Sequence, residues 1–252
     1  DAVTVGTDTV ITAEDAGVRQ NITFDANNVI TSSGSSLSVL GDTVQIQSMN
    51  GTNNVVLDGA TAVNVVNGIN GQGTITVIGP STIGGDFITT NDTVQFTGVV
   101  NVTTPVNIDT GAGTGSIAFS STINGAQDLD LLAGTGDVTV LGDMGDITPL
   151  NSLDVVGNNI RVQNVTTTNG QNYTGNVQES GLLTGGQAIS LIGDVVLGGG
   201  VTTSNGDVDI QGDVTLTADS ILQSGGTAAD SISIQGDIGG DFNLEFQAGL
   251  AD

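Results

Sequence analysis

The chain is written in short alternating segments. TVQFTG, VVNVT, PVNID, SIAFS, DLDLL, DVTVLG, LDVVG and IRVQN each place apolar residues at i and i+2 with polar residues between them. In an extended chain that spacing puts the apolar side chains on one face and the polar ones on the other, the mark of a strand with one buried side. Gly, Asn, Asp and Thr fill the gaps, and these are turn residues. The segment centres lie roughly 6 to 12 residues apart. No apolar pattern of period 3.6 reaches helical length. The one hint of it, TAEDAGVRQ at 12–20, is short and broken by Gly17.

The text also repeats itself. Displaced by 114 residues, GQGTITVIGPSTIGGDFITTNDTVQFTG (71–98) lies over GGQAISLIGDVVLGGGVTTSNGDVDIQG (185–212), with Gly71, Ile75, Ile78, Gly79, Gly84, Gly85, Thr89, Asn91, Val94 and Gly98 meeting identical residues. A step of 115 lays SIAF (116–119) over SISI (231–234) and DLDLLAG (128–134) over NLEFQAG (243–249). A step of 116 lays SLSVLGDTVQIQ (36–47) over SLDVVGNNIRVQ (152–163). Single-residue loop insertions account for the drift. The chain divides into the end of a preceding unit (1–35), a first unit (36–151) and a second (152–252), one continuous array. QAGLAD (247–252) run into DAVTVGTD (1–8) reads almost in phase with AGTGDVTVLGD (133–143), which suggests a slice of an array or a subunit that stacks head to tail.

Three segments and their turns take about 20 to 25 residues, one coil of a β-solenoid. Five coils then make one unit of roughly 115 residues, and the chain holds about ten or eleven. Coils about 4.8 Å apart give a rod about 50 Å long. Tandem β-sandwich domains are the alternative, since they also use short alternating strands. The inward positions are small and β-branched, which suits the narrow core of a solenoid better than that of a sandwich. Val94, Phe96, Val208 and Ile210 are expected inside the rod at equivalent levels.

Charge narrows the partners. The chain carries 27 acidic and 2 basic residues, Arg19 and Arg161, for a net charge of −25, with no His and no Cys. Nothing neutralises phosphates, so nucleic acid is not an expected partner. Anionic lipid is disfavoured in the same way. No apolar run approaches the roughly 18 residues of a membrane span, and no signal peptide remains. Without Lys, no Lys–Asn isopeptide crosslink forms within this chain. Asn21, Asn50, Asn91, Asn101, Asn164 and Asn172 each head an Asn-x-Thr sequon.

Within 94–175, the stretches GTGSIAFSSTINGAQDLDLLAGTGDVTV, TPLNSLDVVG and VTTTNGQNYTG with its closing TGNV step resemble the repeats of filamentous-haemagglutinin-like giant repetitive bacterial adhesins and exoproteins. The resemblance implies a right-handed parallel β-helix, secretion to the cell surface or extracellular matrix, and a structural or adhesive role. The family's N-terminal secretion domain, with its Asn-Pro-Asn motifs, is not in this sequence, which fits a slice from mid-array.

Candidate chemistry is thin. Nucleophile–His arrangements need a histidine the chain does not have. The carboxylate pairs Asp128 with Asp130 and Asp207 with Asp209 share a strand face, where outward Asp residues are ordinarily solvated. No catalytic residue is assigned and no enzyme activity is expected; a polysaccharide-active β-helix enzyme is the remote alternative. Calcium is the one cofactor the sequence suggests, though none is required. Ten Gly-Asp dipeptides occur, and stacked turns bring carboxylates and carbonyls together as hard oxygen ligands. The candidate calcium residues are Asp137, Asp143, Asp146 and Asp213. GTGDVTV (134–140) departs from the calcium-binding nonapeptide, because Asp137 directly follows Gly136.

The expected function is mechanical: a structural subunit or stalk segment of a secreted surface fibre or adhesin, in a biofilm matrix or at the cell surface. Its partners are copies of itself, stacked head to tail, or neighbouring repeats of a longer chain. The alternative is an adhesin face that grips a glycan or protein. A binding face should cluster aromatics, and the seven aromatics here, Phe24, Phe87, Phe96, Phe119, Tyr173, Phe242 and Phe246, fall mostly at strand positions expected to point inward.

Overall fold

The computed structural model describes residues 3–25, 29–32 and 34–249. Among these residues there is no helix, and the strands stack in parallel into a β-solenoid. Strands form where the sequence alternates. Val94–Phe96, Val100–Val102 and Val138–Val140 each bury their first and third residues and turn the middle one outward. Sheet on sheet, the coils settle as expected from strands that each have one apolar side.

Each coil has three faces. Face A runs from Val3–Val5 up to Ile232–Ile234, face B from Thr9–Thr12 to Ile238–Gly239, and face C from Ile22–Thr23 to Leu244–Gln247. The inward column of face A climbs through Val3, Ile30, Met49, Ile69, Phe87, Ile108, Leu131, Val155, Tyr173, Leu191, Ile210 and Ile234, eleven steps of 18 to 27 residues. The strands keep their register while the corners absorb the differences in length. The buried Val, Ile and Leu side chains of all three faces form one continuous core. Phe96 and Phe119 occupy adjacent levels of face B and stack at 4.8 Å, with Phe87 edge-on to Phe96 at 5.2 Å.

Val94, Phe96, Val208 and Ile210 are fully buried, but on different faces. Val94 and Phe96 belong to face B and pair with Ile117 and Phe119. Val208 and Ile210 belong to face A and pair with Ile232 and Ile234. The internal repeat behaves this way throughout. Leu37–Ile46 bends from face B to face C, whereas its counterpart Leu153–Val162 bends from face A to face B. Asp128–Leu132 approaches and forms face A, while its counterpart at 243–247 lies on face C. A step of 114 to 116 residues therefore spans more than five coils and fewer than six, which corrects the expectation of five whole coils. The physical reason is that the faces are alike. Each asks only for alternating small apolar residues, so a copied block of strands and turns packs equally well after a rotation by one face.

TAEDAGVRQ forms a hairpin and no helix. Glu14–Asp15 pairs antiparallel with Val18–Arg19 across Ala16 and Gly17, at φ 50° and 80°. Two consecutive positive φ values make the turn that matches strand twist. The hairpin leans along the rod, and both Arg19 guanidinium nitrogens reach the Asp58 carboxylate, at 2.7 and 2.9 Å. Four of the aromatics, Phe87, Phe96, Phe119 and Tyr173, are fully buried, and Phe24 packs against the core. Phe242 and Phe246 are about half exposed, at 48% and 52%. Phe246 does sit over Leu222 in an inward column, but no described coil lies on its other side.

Candidate functional site

Polar side chains concentrate at the corners, where the backbone leaves the parallel ladder and its N–H groups lose their regular partners. There the acidic residues act on the next coil. The Asp194 Oδ1 accepts from the Asp213 amide at 3.1 Å, and the Asp213 Oδ1 accepts from the Asp237 amide at 2.9 Å. At other corners Asp207 accepts from the Ser231 amide at 2.6 Å, and Asp219 from the Asn243 amide at 2.9 Å. Asp86 does the same for Asn107, and Asp8 for Ser36. Each carboxylate is a one-rung staple: a charged acceptor, stronger than a neutral one, placed where a backbone donor would otherwise have only solvent.

Of the four sequence candidates for calcium, Asp137, Asp143 and Asp213 fall into this pattern and Asp146 does not, and the four do not converge. Asp137 lies at the corner from face A to face B and takes the Asn159 amide at 3.2 Å and its Nδ2 at 2.9 Å. Asp143 lies at the corner from face B to face C and takes the Asn164 amide and Nδ2 at 3.3 and 2.9 Å. Asp146 is exposed in the turn before Leu150. Asp213 belongs to the same corner as Asp137, four coils further on. Among the described residues no three acidic side chains form a group suited to hold a metal ion. Three of the six sequon asparagines are also drawn into staples. The side-chain oxygens of Asn21, Asn91 and Asn164 accept amides of Thr43, Gly113 and Leu182, and all six sequon asparagines are exposed.

The pair Asp128 and Asp130 is divided by its surroundings. Hydrogen bonds from Ser152 and Asn151 hold Asp128 below the usual carboxylate range. Asp130 is pushed up, first by partial burial and then by the charge of Asp154, its neighbour in register on the next coil, with Asp128 and Asp86 adding to it. Asp207 and Asp209 are both engaged, with Ser231 and with Gln211.

One carboxyl group points the other way. Glu179 is 1% exposed, at the inward position two residues after Val177. Its Oε2 accepts from the amides of Gly198 and Gly199 at 3.2 and 3.3 Å, and its Oε1 makes no hydrogen bond among the described residues. Burial pushes its pKa up to about 7, against the pull of the amides of Gly198, Gly199, Gly200 and Gly181. The triple glycine has a steric cause. A Cβ on Gly199 would collide with the Gly181 carbonyl, and Gly200 has φ 146°. Beside it, Tyr173 donates to Gln171 Oε1 at 2.8 Å, and Gln171 donates to Thr167 Oγ1 and the Thr184 carbonyl at 3.2 and 2.9 Å. Burial, with the Glu179 charge behind it, raises the Tyr173 hydroxyl as well. This interior polar patch is a feature the outward Gly-Asp pattern did not disclose; its signals were a Glu at an inward strand position and the GGG run at 198–200.

Compared with family models, curated proteins and solved structures, the chain matches none. The likeness to filamentous-haemagglutinin-like repeats therefore rests on the sequence stretches quoted above.

Proposed function

We propose that this chain is a load-bearing segment of a secreted, repetitive surface protein: a stiff acidic rod, in a fibre or adhesin stalk, that continues by stacking coil on coil. The observation that carries the reading is the use of the acidic side chains. At many of the corners they join one coil to the next, so the residue type that dominates the surface serves axial cohesion. Ile232, Ile234 and Leu244 in the uppermost described coil are only partly covered. A further coil would cover them, from more chain or from another copy, and would pair the strand edges.

Electron microscopy of the purified protein, with calcium and with chelator, tests this. Filaments of uniform width with an axial repeat near 50 Å support stacking between copies. Single short rods under both conditions refute self-stacking and leave only the stalk within a longer chain. Compact particles without axial order refute the mechanical role altogether.

A further inference from the structure

Arg161 stands apart from the rest of the surface. The only other cation of the chain, Arg19, is paired with Asp58. The Arg161 guanidinium is exposed and, among the described residues, has neither an ion-pair nor a hydrogen-bond partner. It projects from the floor of an open groove of about 470 Å³ on the outside of face B. The groove crosses four coils. Arg161 and Gln178 are in register on its floor, and Asn159 and Asn176 are in register along one side. Asp137 and Asp194 stand at its two ends. The Asp137 Oδ1 is committed to Asn159, and the Asp194 Oδ1 to the next coil.

We propose that this groove binds a short oligosaccharide carrying a carboxylate, lying along the rod axis, with the acid group on Arg161. Three observations select that ligand. Amide donors and acceptors repeat at the coil spacing of about 4.8 Å, which matches a ligand with hydroxyls along its length. The floor between them includes Val196, whose outward side chain offers an apolar surface for the C–H face of a sugar ring. A single free guanidinium in a chain of net charge −25 selects one carboxylate at a time, by bidentate charge-assisted hydrogen bonds, and repels a polyanion. The groove is a property of the side of the rod, so it goes beyond the structural role and stands or falls separately from it.

The test is calorimetric titration of the whole chain with a four-sugar hyaluronan fragment, whose glucuronates alternate with N-acetylglucosamine. Its neutral counterpart, four linked N-acetylglucosamines, and an acidic peptide of four glutamates serve as comparisons. The expected result is binding of the hyaluronan fragment, weaker binding of the neutral sugar and none of the peptide. Arg161→Gln should weaken the acidic sugar about tenfold or more, leave the neutral sugar unchanged and leave the melting temperature unchanged. Gln178→Ala should weaken both sugars. Absence of sugar binding, equal binding of the acidic peptide, or loss of neither ligand in Arg161→Gln would each overturn the proposal.

Discussion

Glu179→Gln isolates the most unusual group in the molecule. The native pKa of Glu179 is raised from the ordinary 4.5 to about 7 by burial. A raised folded-state value means that the native state holds the proton more tightly than the unfolded chain. The stabilisation is complete below the unfolded value, near 4.5, and is lost as the pH rises through about 7. In full the difference corresponds to about 3 kcal/mol, and about 2 kcal/mol of it falls between pH 8 and pH 5.5. Because Glu179 is 1% exposed, solvent screening takes little from that figure. Many surface carboxylates also titrate in this chain, so the useful quantity is the difference between wild type and Glu179→Gln, measured by urea or thermal unfolding at both pH values. Gln keeps the shape, the acceptor and the neutral charge state. The variant should be more stable than wild type at pH 8, and its advantage should shrink by about 2 kcal/mol at pH 5.5. At roughly 2 to 4 °C per kcal/mol for a chain of this length, that is a change of about 4 to 8 °C in relative melting temperature. An advantage that stays constant between the two pH values would show that Glu179 is not a buried, proton-coupled carboxyl, and the reasoning would fail.

Three further outcomes follow from the same geometry. Val208→Asp places a charge at a fully buried position and should abolish cooperative unfolding, at a cost of several kcal/mol; an unchanged denaturation curve would refute the inward register of face A. Asp213→Ala removes the acceptor of the Asp237 amide and should cost about 1 kcal/mol, whereas Asp213→Asn should restore most of it; equal curves for the two variants would count against stapling. Gly199→Ala drives a Cβ into the Gly181 carbonyl and should lower the melting temperature well beyond Gly198→Ala, whose Cβ would meet Glu179 O at 3.0 Å; the reverse order would argue against the tight turn over Glu179.

Much of the fold was legible because strand burial is a local, period-2 property. Phe96 and Ile210 could be assigned to the interior from their neighbours alone. Which face they line was not legible, since the faces make identical demands and only the lengths of the corners decide it. The corners vary between coils, so the partner of Asp137 sits 22 residues away and that of Asp207 24 residues away, with no fixed spacing to search for. That is why the stapling by Asp137, Asp143 and Asp213 was not legible in the sequence. The hairpin at 14–19 was missed for a different reason. Ala16 is an unusual residue at positive φ, and a good helix former there conceals the turn.

The stacking has an electrostatic consequence on a larger scale. A net charge of −25 spread along a rod about 50 Å long is close to one charge per 2 Å, near the axial charge density of duplex DNA. At that density a linear polyion gathers a condensed sheath of small cations whatever their identity. In solution this rod behaves as a polyelectrolyte whose bending and side-by-side approach to its own kind are governed by the salt it wears.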